Sequence, residues 1–226
     1  MDRGSVLLLR SFLVIGGALA VASCASSPSA FVGQKAAWRD NSERACLRSG
    51  SVRESRFVQP VSQLGGPNVC GALSPFKMSA ADYGRVSLRP AAILRCPMVN
   101  TVDDWVREAI APAAARYLGS PVVQIKVAAS YSCRTRNGLA GAKLSEHGLA
   151  NALDISAFLL ADGRKVTLRR GWRGAPAEQA FLRAVHRSAC KRFTTVLGPD
   201  ADKYHQDHFH VDLARHNRKG TYRVCR

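Results

Sequence analysis

The residues best suited to chemistry in this chain are Ser145-Glu146-His147 with Asp154 and, much later, Asp207-His208-Phe209-His210. Two imidazoles and a carboxylate are a common ligand set for catalytic Zn²⁺, with one coordination position left open for water. The expected ligands are His147, Asp154 and His210. Asp207 is then the expected base, taking a proton from the water and passing it to a leaving amine. His208 is expected to stabilise a developing oxyanion or orient the water, or else to be a ligand in place of His210; spacing alone does not choose. The chain therefore reads first as a metallohydrolase.

These groups need a scaffold that turns them to one point. His147 stands in a Gly- and Ala-rich loop, and Asp154 follows on a strand expected over Ala150–Leu160, which forms a hairpin with Lys165–Leu168 across Asp162-Gly163. His208 and His210 share a face of a last strand, Phe209–Leu213, because side chains alternate, and Asp207 sits at its mouth. Thr101 is expected to cap a helix carrying Val102, Trp105, Val106, Ala109, Ile110, Ala113 and Tyr117, with Pro112 kinking it and Gly119 past its end. Val122–Ala129 alternates as a strand, Ala177–Lys191 reads as a second helix, and Thr194–Leu197 as a further strand. Ala36 to about Ser87 lacks sustained periodicity and is expected to be an irregular, disulfide-held wrapping, with short strands at Phe57-Val58 and Arg85–Leu88. The pattern predicts an α+β domain, a mainly antiparallel sheet flanked by helices.

The N-terminus indicates where such chemistry would occur. Arg3 and Arg10 flank the apolar run Phe12–Val21, too short for a comfortable membrane span, followed by Ala22-Ser23-Cys24. Val21-Ala22-Ser23-Cys24 resembles a lipobox, predicting lipidation of Cys24, with ordinary cleavage near Ala30 as the alternative. Ala25, rather than Asp, after that cysteine favours an outer-membrane anchor facing the periplasm. The expected division is a signal peptide over 1–23, a tether over 24–40 and one domain over 41–226. Six further cysteines, Cys46, Cys70, Cys96, Cys133, Cys190 and Cys225, predict disulfides in an oxidising compartment. No Cys-x-x-Cys is present, so a metal must rest on His and Asp. The net charge of +17 favours anionic partners, namely lipid head groups, anionic saccharides or acidic peptidoglycan stem peptides. Scattered basic residues without a nucleic-acid motif, in an exported chain, argue against nucleic acid. A monomer is expected.

Ser-x-His-x6-Asp followed by Asp-x-x-His, with His-x-His ending the motif, resembles the zinc peptidases that include D-Ala-D-Ala carboxypeptidases, dipeptidases and phage endolysins. That resemblance implies a LAS-type, hedgehog-like fold, with His147, Asp154 and His210 on zinc and Asp207 as base. It also implies Arg134 as a clamp for a substrate carboxylate or scissile carbonyl, and Ser145 as a hydrogen-bonding partner of the substrate terminus. No Trp stands in the final motif, where Phe209 lies between the histidines; this affects pocket shape more than metal binding. The longer strings Ser130-Tyr131-Ser132-Cys133-Arg134, Lys143-Leu144-Ser145-Glu146-His147, Phe193–Pro199 and Asp207–Asp212 are similar to the bacterial extensin-like C-terminal domain family, over roughly Cys46 to Cys225.

Other polar residues are expected to be structural. His186, His205 and His216 read as ordinary hydrogen-bonded histidines, His205 also as a candidate donor behind the site. Glu146 reads as a solvated loop carboxylate or a helper of its neighbour, and Asp212 as the partner of a nearby Arg or Lys. Trp105, Phe181 and Phe193 read as core. Two functions follow: an exported zinc peptidase or amidase cutting wall peptide stems, or a metal-stabilised, non-catalytic wall-binding lipoprotein. A disulfide-held adaptor without metal is the third.

Overall fold

The computed structural model describes residue 1, residues 36–65 and residues 69–226. The expected signal peptide and Cys24 lie outside the described residues. Among the described residues, no helix is long and apolar enough to cross a membrane.

The first elements are helix α1 (Ala37–Ser49) and strands β1 (Val58–Pro60), β2 (Leu64–Gly65), β3 (Gly71–Ala72), β4 (Phe76–Ala81) and β5 (Val86–Leu94). Helix α2 (Cys96–Trp105) runs through a wide turn at Val106–Ile110 into α3 (Ala111–Leu118). Then come β6 (Val122–Ala129), β7 (Ala152–Leu160), β8 (Lys165–Thr167), α4 (Leu168–Gly171) and α5 (Pro176–Arg192). Strands β9 (Thr195–Leu197), β10 (Phe209–Asp212) and β11 (Val224–Cys225) complete the chain. One sheet has the order β1-β4-β5-β6-β7-β10-β9-β11, with β8 also on β7; β2 and β3 pair separately. Among the described strands only β5–β6 and β9–β11 run parallel, so the expected α+β class with a mainly antiparallel sheet is observed.

The centre of the sheet is β7. Its first half pairs with β10 and its second half with β8, while β6 runs along the other edge. Because side chains alternate, Leu153 and Ile155 point into the core, and Ala152 and Asp154 point to the opposite face. Across the ladder Phe209 pairs with Ile155 and Val211 with Leu153, which places His210 directly opposite Asp154. Burial of Phe209 and Val211 is therefore what holds His210 and Asp154 in register.

The core face is covered by helices. Trp105 and Phe193 meet edge to face with centroids 5.3 Å apart, and Phe158 meets Phe181 at 5.2 Å. The expected core aromatics Trp105, Phe181 and Phe193 are fully buried, as is Phe158, each removing surface worth on the order of 2 kcal/mol from water. The helix expected after Thr101 begins instead at Cys96. Extended Arg95 precedes Pro97 in the opening turn, and the Thr101 hydroxyl donates back to the Pro97 carbonyl from inside the helix. Pro112, expected as a kink, falls in the first turn of α3 just after the wide turn, which accommodates its missing N–H. At β7 the strand starts two residues later than expected, since Ala150 adopts a left-handed conformation with φ 51°.

The N-terminal segment is more regular than its sequence suggests. It contains α1, which begins at Ala37 within the stretch read as tether, and the six-residue strand β4. Strand β5 also runs past its expected end, because Pro90 sits where the β4 ladder shifts register and no N–H is required. Helix α1 has no apolar stripe, and side-chain chemistry fixes it instead. Glu43 is fully buried against Arg95 at 3.7 Å and accepts the backbone N–H groups of Leu73 and Ser74. Disulfides join Cys46 to Cys96, Cys70 to Cys133 and Cys190 to Cys225, using all six expected cysteines. Their sequence separations of 50, 63 and 35 residues correspond to about 4 kcal/mol each in lost unfolded-chain freedom.

Candidate metal centre

Three elements converge on the face of the sheet opposite the core. The short turn Glu146–Leu149 supplies His147, β7 supplies Asp154 and β10 supplies His210. Ser145 opens that turn, its hydroxyl accepting from the His147 N–H, and left-handed Ala150 closes it. Asp154 Oδ1 lies 2.9 Å from His210 Nδ1, and Asp154 Oδ2 lies 3.1 Å from His147 Nε2. The two ring nitrogens are 3.2 Å apart. All three residues are buried, and their donor atoms are close enough to share one ion.

The outward nitrogens show which atoms are free to coordinate. His147 Nδ1 is 2.6 Å from the Ser130 carbonyl, which only accepts, so Nδ1 carries the hydrogen and the Nε2 lone pair faces Asp154. His210 Nε2 is 3.0 Å from an Asp212 oxygen, so Nδ1 is the inward atom there. Two imidazole lone pairs and a carboxylate aimed at one point are the donor set that suits zinc. Without a metal, burial opposes charge on His210, but the Asp154 and Asp212 carboxylates on either side raise its pKa to about 10. Asp154 is likewise penalised by burial, yet hydrogen bonds from His147 and His210 hold its carboxyl well below the usual carboxylate range. A proton on His210 thus stands where a cation would bind.

The triad lies on a cleft of about 480 Å³ whose walls include Arg134, Arg136, Ser145, Tyr204, His205 and His208. His208 Nε2 is 3.8 Å from Asp154 Oδ2, and its Nδ1–H donates to Asp207 at 2.9 Å. Asp207 itself is outside the cleft lining, its side chain 55% exposed. The expected base therefore meets the cleft only through His208, which precedes β10. His205 donates from Nδ1 to Asp202 at 2.7 Å and lies beside His208 and His210, with centroids 5.1 and 5.8 Å away. Burial lowers its pKa, against the pull of Asp202.

Asp212 and Glu146 differ from their expected roles, whereas His186 and His216 are hydrogen-bonded as expected. Asp212 pairs with His210 rather than with an Arg or Lys, and its place two residues along the same strand was the available signal. Glu146 is buried, not solvated, bound by Arg39 of α1 and the Asn151 amide at 2.6 Å each. His216 lines the cleft and shares a hydrogen bond of 2.8 Å with Thr195. His186 packs its ring on Trp172 and Phe209 and donates to the Arg226 carbonyl. It also neighbours Cys190 and Cys225, but their sulfurs are joined to each other, leaving the His–Asp triad as the metal candidate among the described residues.

Fold and site together define a disulfide-bonded α+β protein with a buried His–Asp–His cluster on a cleft lined by histidines, arginines and carboxylates, able to hold a metal ion. The family described as Extensin-like protein C-terminus matches residues 44–226, and the chain belongs to it. Neither the curated proteins nor the solved structures returned a significant match.

Proposed function

We propose that this protein is an exported zinc-dependent peptidase or amidase, of LAS type, that cleaves peptidoglycan stem peptides. The observation carrying the reading is the inward aim of His147 Nε2, His210 Nδ1 and the Asp154 carboxylate, each buried beside an open cleft. A structural site gains little from such an opening, whereas a hydrolytic one requires it. Zinc bound there supplies Lewis-acid activation of water and of a scissile carbonyl.

The chain's own groups account for the other needs of amide hydrolysis. Arg134 lines the cleft and offers a guanidinium to a substrate carboxylate, with Ser145 beside it. His208, held by Asp207 at Nδ1, has Nε2 directed towards Asp154, suited to accept a proton and return it to the leaving amine. Asp207 then acts through His208 by fixing its tautomer. The test is to incubate the full-length, detergent-purified protein with muropeptides and follow product masses. Asp207→Ala and His208→Ala should retain zinc and lose cleavage by at least about 10²-fold. Binding of fragments without products from the unaltered protein would replace this reading with a non-catalytic wall-binding lipoprotein.

The proposed location is the periplasmic face of the outer membrane, through a lipid on Cys24, with anionic wall material as partner and the protein a monomer. Motivating it are the lipobox-like Val21–Cys24 and the charge of +17. Mass spectrometry of membrane-extracted protein should find an acylated N-terminal Cys24, and Cys24→Ala should release the protein from the membrane. An unmodified N-terminus near residue 30 would reject the anchor.

A further inference from the structure

The geometry points to Asp212 as the positioning carboxylate of the metal centre: it holds the Nε2–H of His210 so that Nδ1, and not Nε2, is presented to the ion. The inference rests on the zinc reading above and adds how one ligand is oriented.

Asp212 is built for a fixed role. It is 4% exposed, and its two oxygens are divided between tasks: Oδ2 is 3.0 Å from His210 Nε2, and Oδ1 accepts the Ala214 N–H at 2.8 Å. In the ladder it faces Thr195 of β9, whose hydroxyl is in turn bound to His216. The carboxylate is thus held by its own backbone turn and by the neighbouring strand, not by solvent. An imidazole on a strand can rotate about its Cβ–Cγ bond and offer either nitrogen; a carboxylate fixed behind one of them removes that choice. His147 is held in the same sense by a neutral acceptor, the Ser130 carbonyl. The difference matters electrically, because Asp212 adds a second buried negative charge to that of Asp154. One divalent ion then balances two carboxylates, and the charged acceptor makes His210 the stronger imidazole donor of the pair. Asp212, Thr195 and His216 all line the cleft, so this support is part of its wall.

The experiment measures zinc affinity of the full-length protein by chelator competition, with the visible spectrum of the Co²⁺ form and the imidazole ¹⁵N–¹H correlations of the Zn²⁺ form. Asp212→Asn retains the acceptor for Ala214 but offers His210 no charge. It should weaken zinc binding by roughly 10- to 100-fold and shift the Co²⁺ bands. The unaltered Zn²⁺ form should show His210 coordinated at Nδ1 and protonated at Nε2, a readout that stands even if the variant fails to fold. Affinity within about threefold and an unmoved Co²⁺ spectrum in folded Asp212→Asn would overturn the assignment. Coordination through Nε2 of His210 would do so as well. An unaltered protein that binds no zinc would instead overturn the zinc reading and this inference together.

Discussion

His147→Ala should strip the protein of zinc and activity while leaving it folded. The unaltered protein should hold about one zinc per chain after dialysis, and the variant close to none, with muropeptide hydrolysis falling by about 10³-fold or more. His147 is the cleaner of the two imidazoles to remove. Its loss orphans the Ser130 carbonyl, a cost of about 1–3 kcal/mol, but leaves the Asp154–His210–Asp212 pairing intact. His210→Ala should lose the metal equally and in addition destabilise the fold, because Asp154 and Asp212 would remain as two buried carboxylates without the imidazole between them. Elemental analysis of zinc, with circular dichroism as the folding control, separates the two variants. Stoichiometric zinc in folded His147→Ala would sink the triad as the metal centre.

Glu43→Ala should destabilise the protein by roughly 3–5 kcal/mol, the largest effect expected far from the cleft. Glu43 is fully buried and is the counter-charge of Arg95, itself 2% exposed. Burial already lowers the pKa of Arg95, with Glu43 acting against it, and one guanidinium nitrogen has no partner. Removing the carboxylate takes from buried Arg95 its nearest counter-charge, leaving only the weaker pull of Glu146 and Asp40, and frees the N–H groups of Leu73 and Ser74. The consequence reaches the metal loop, since Arg95 Nε donates to the Leu149 carbonyl at 2.8 Å, at the end of the turn that carries His147. Urea unfolding with the disulfides intact measures the change. A loss below about 1 kcal/mol would mean that α1 is held by its disulfide and Arg39 alone.

Much of the centre was legible before any coordinates, for reasons local to each segment. His147, Asp154 and His210 could be named as candidates because ligand chemistry restricts residue types, whereas the expected strand face shared by His208 and His210 was not found, since β10 begins at Phe209 and His208 lies just before it. The helix through Trp105 and the strand through Ile125 were readable from their periodicity. Helix α1 was not, because it is docked by Glu43, Arg39 and Cys46 rather than by an apolar stripe, and those partners lie far away in the chain. Pro90 hid the full length of β5 by sitting at a register shift that only the paired strand reveals.

The sequence by itself determined the six half-cystines and the mainly antiparallel α+β class, and it singled out His147, Asp154 and His210 as the group that could hold a metal. Tertiary structure alone decided that Cys46, Cys70 and Cys190 pair with Cys96, Cys133 and Cys225, and that Asp207 reaches the cleft through His208. The pairing of Asp212 with His210, in place of the expected Arg or Lys, was by contrast within reach of the sequence, because the two lie two residues apart on one strand. Spacing along the chain reports the geometry of one segment, whereas the meeting of His210 with Asp154 depends on strand register across the sheet. That register is set by Phe209 and Val211 packing with Ile155 and Leu153 in the core, a long-range choice that no local pattern encodes.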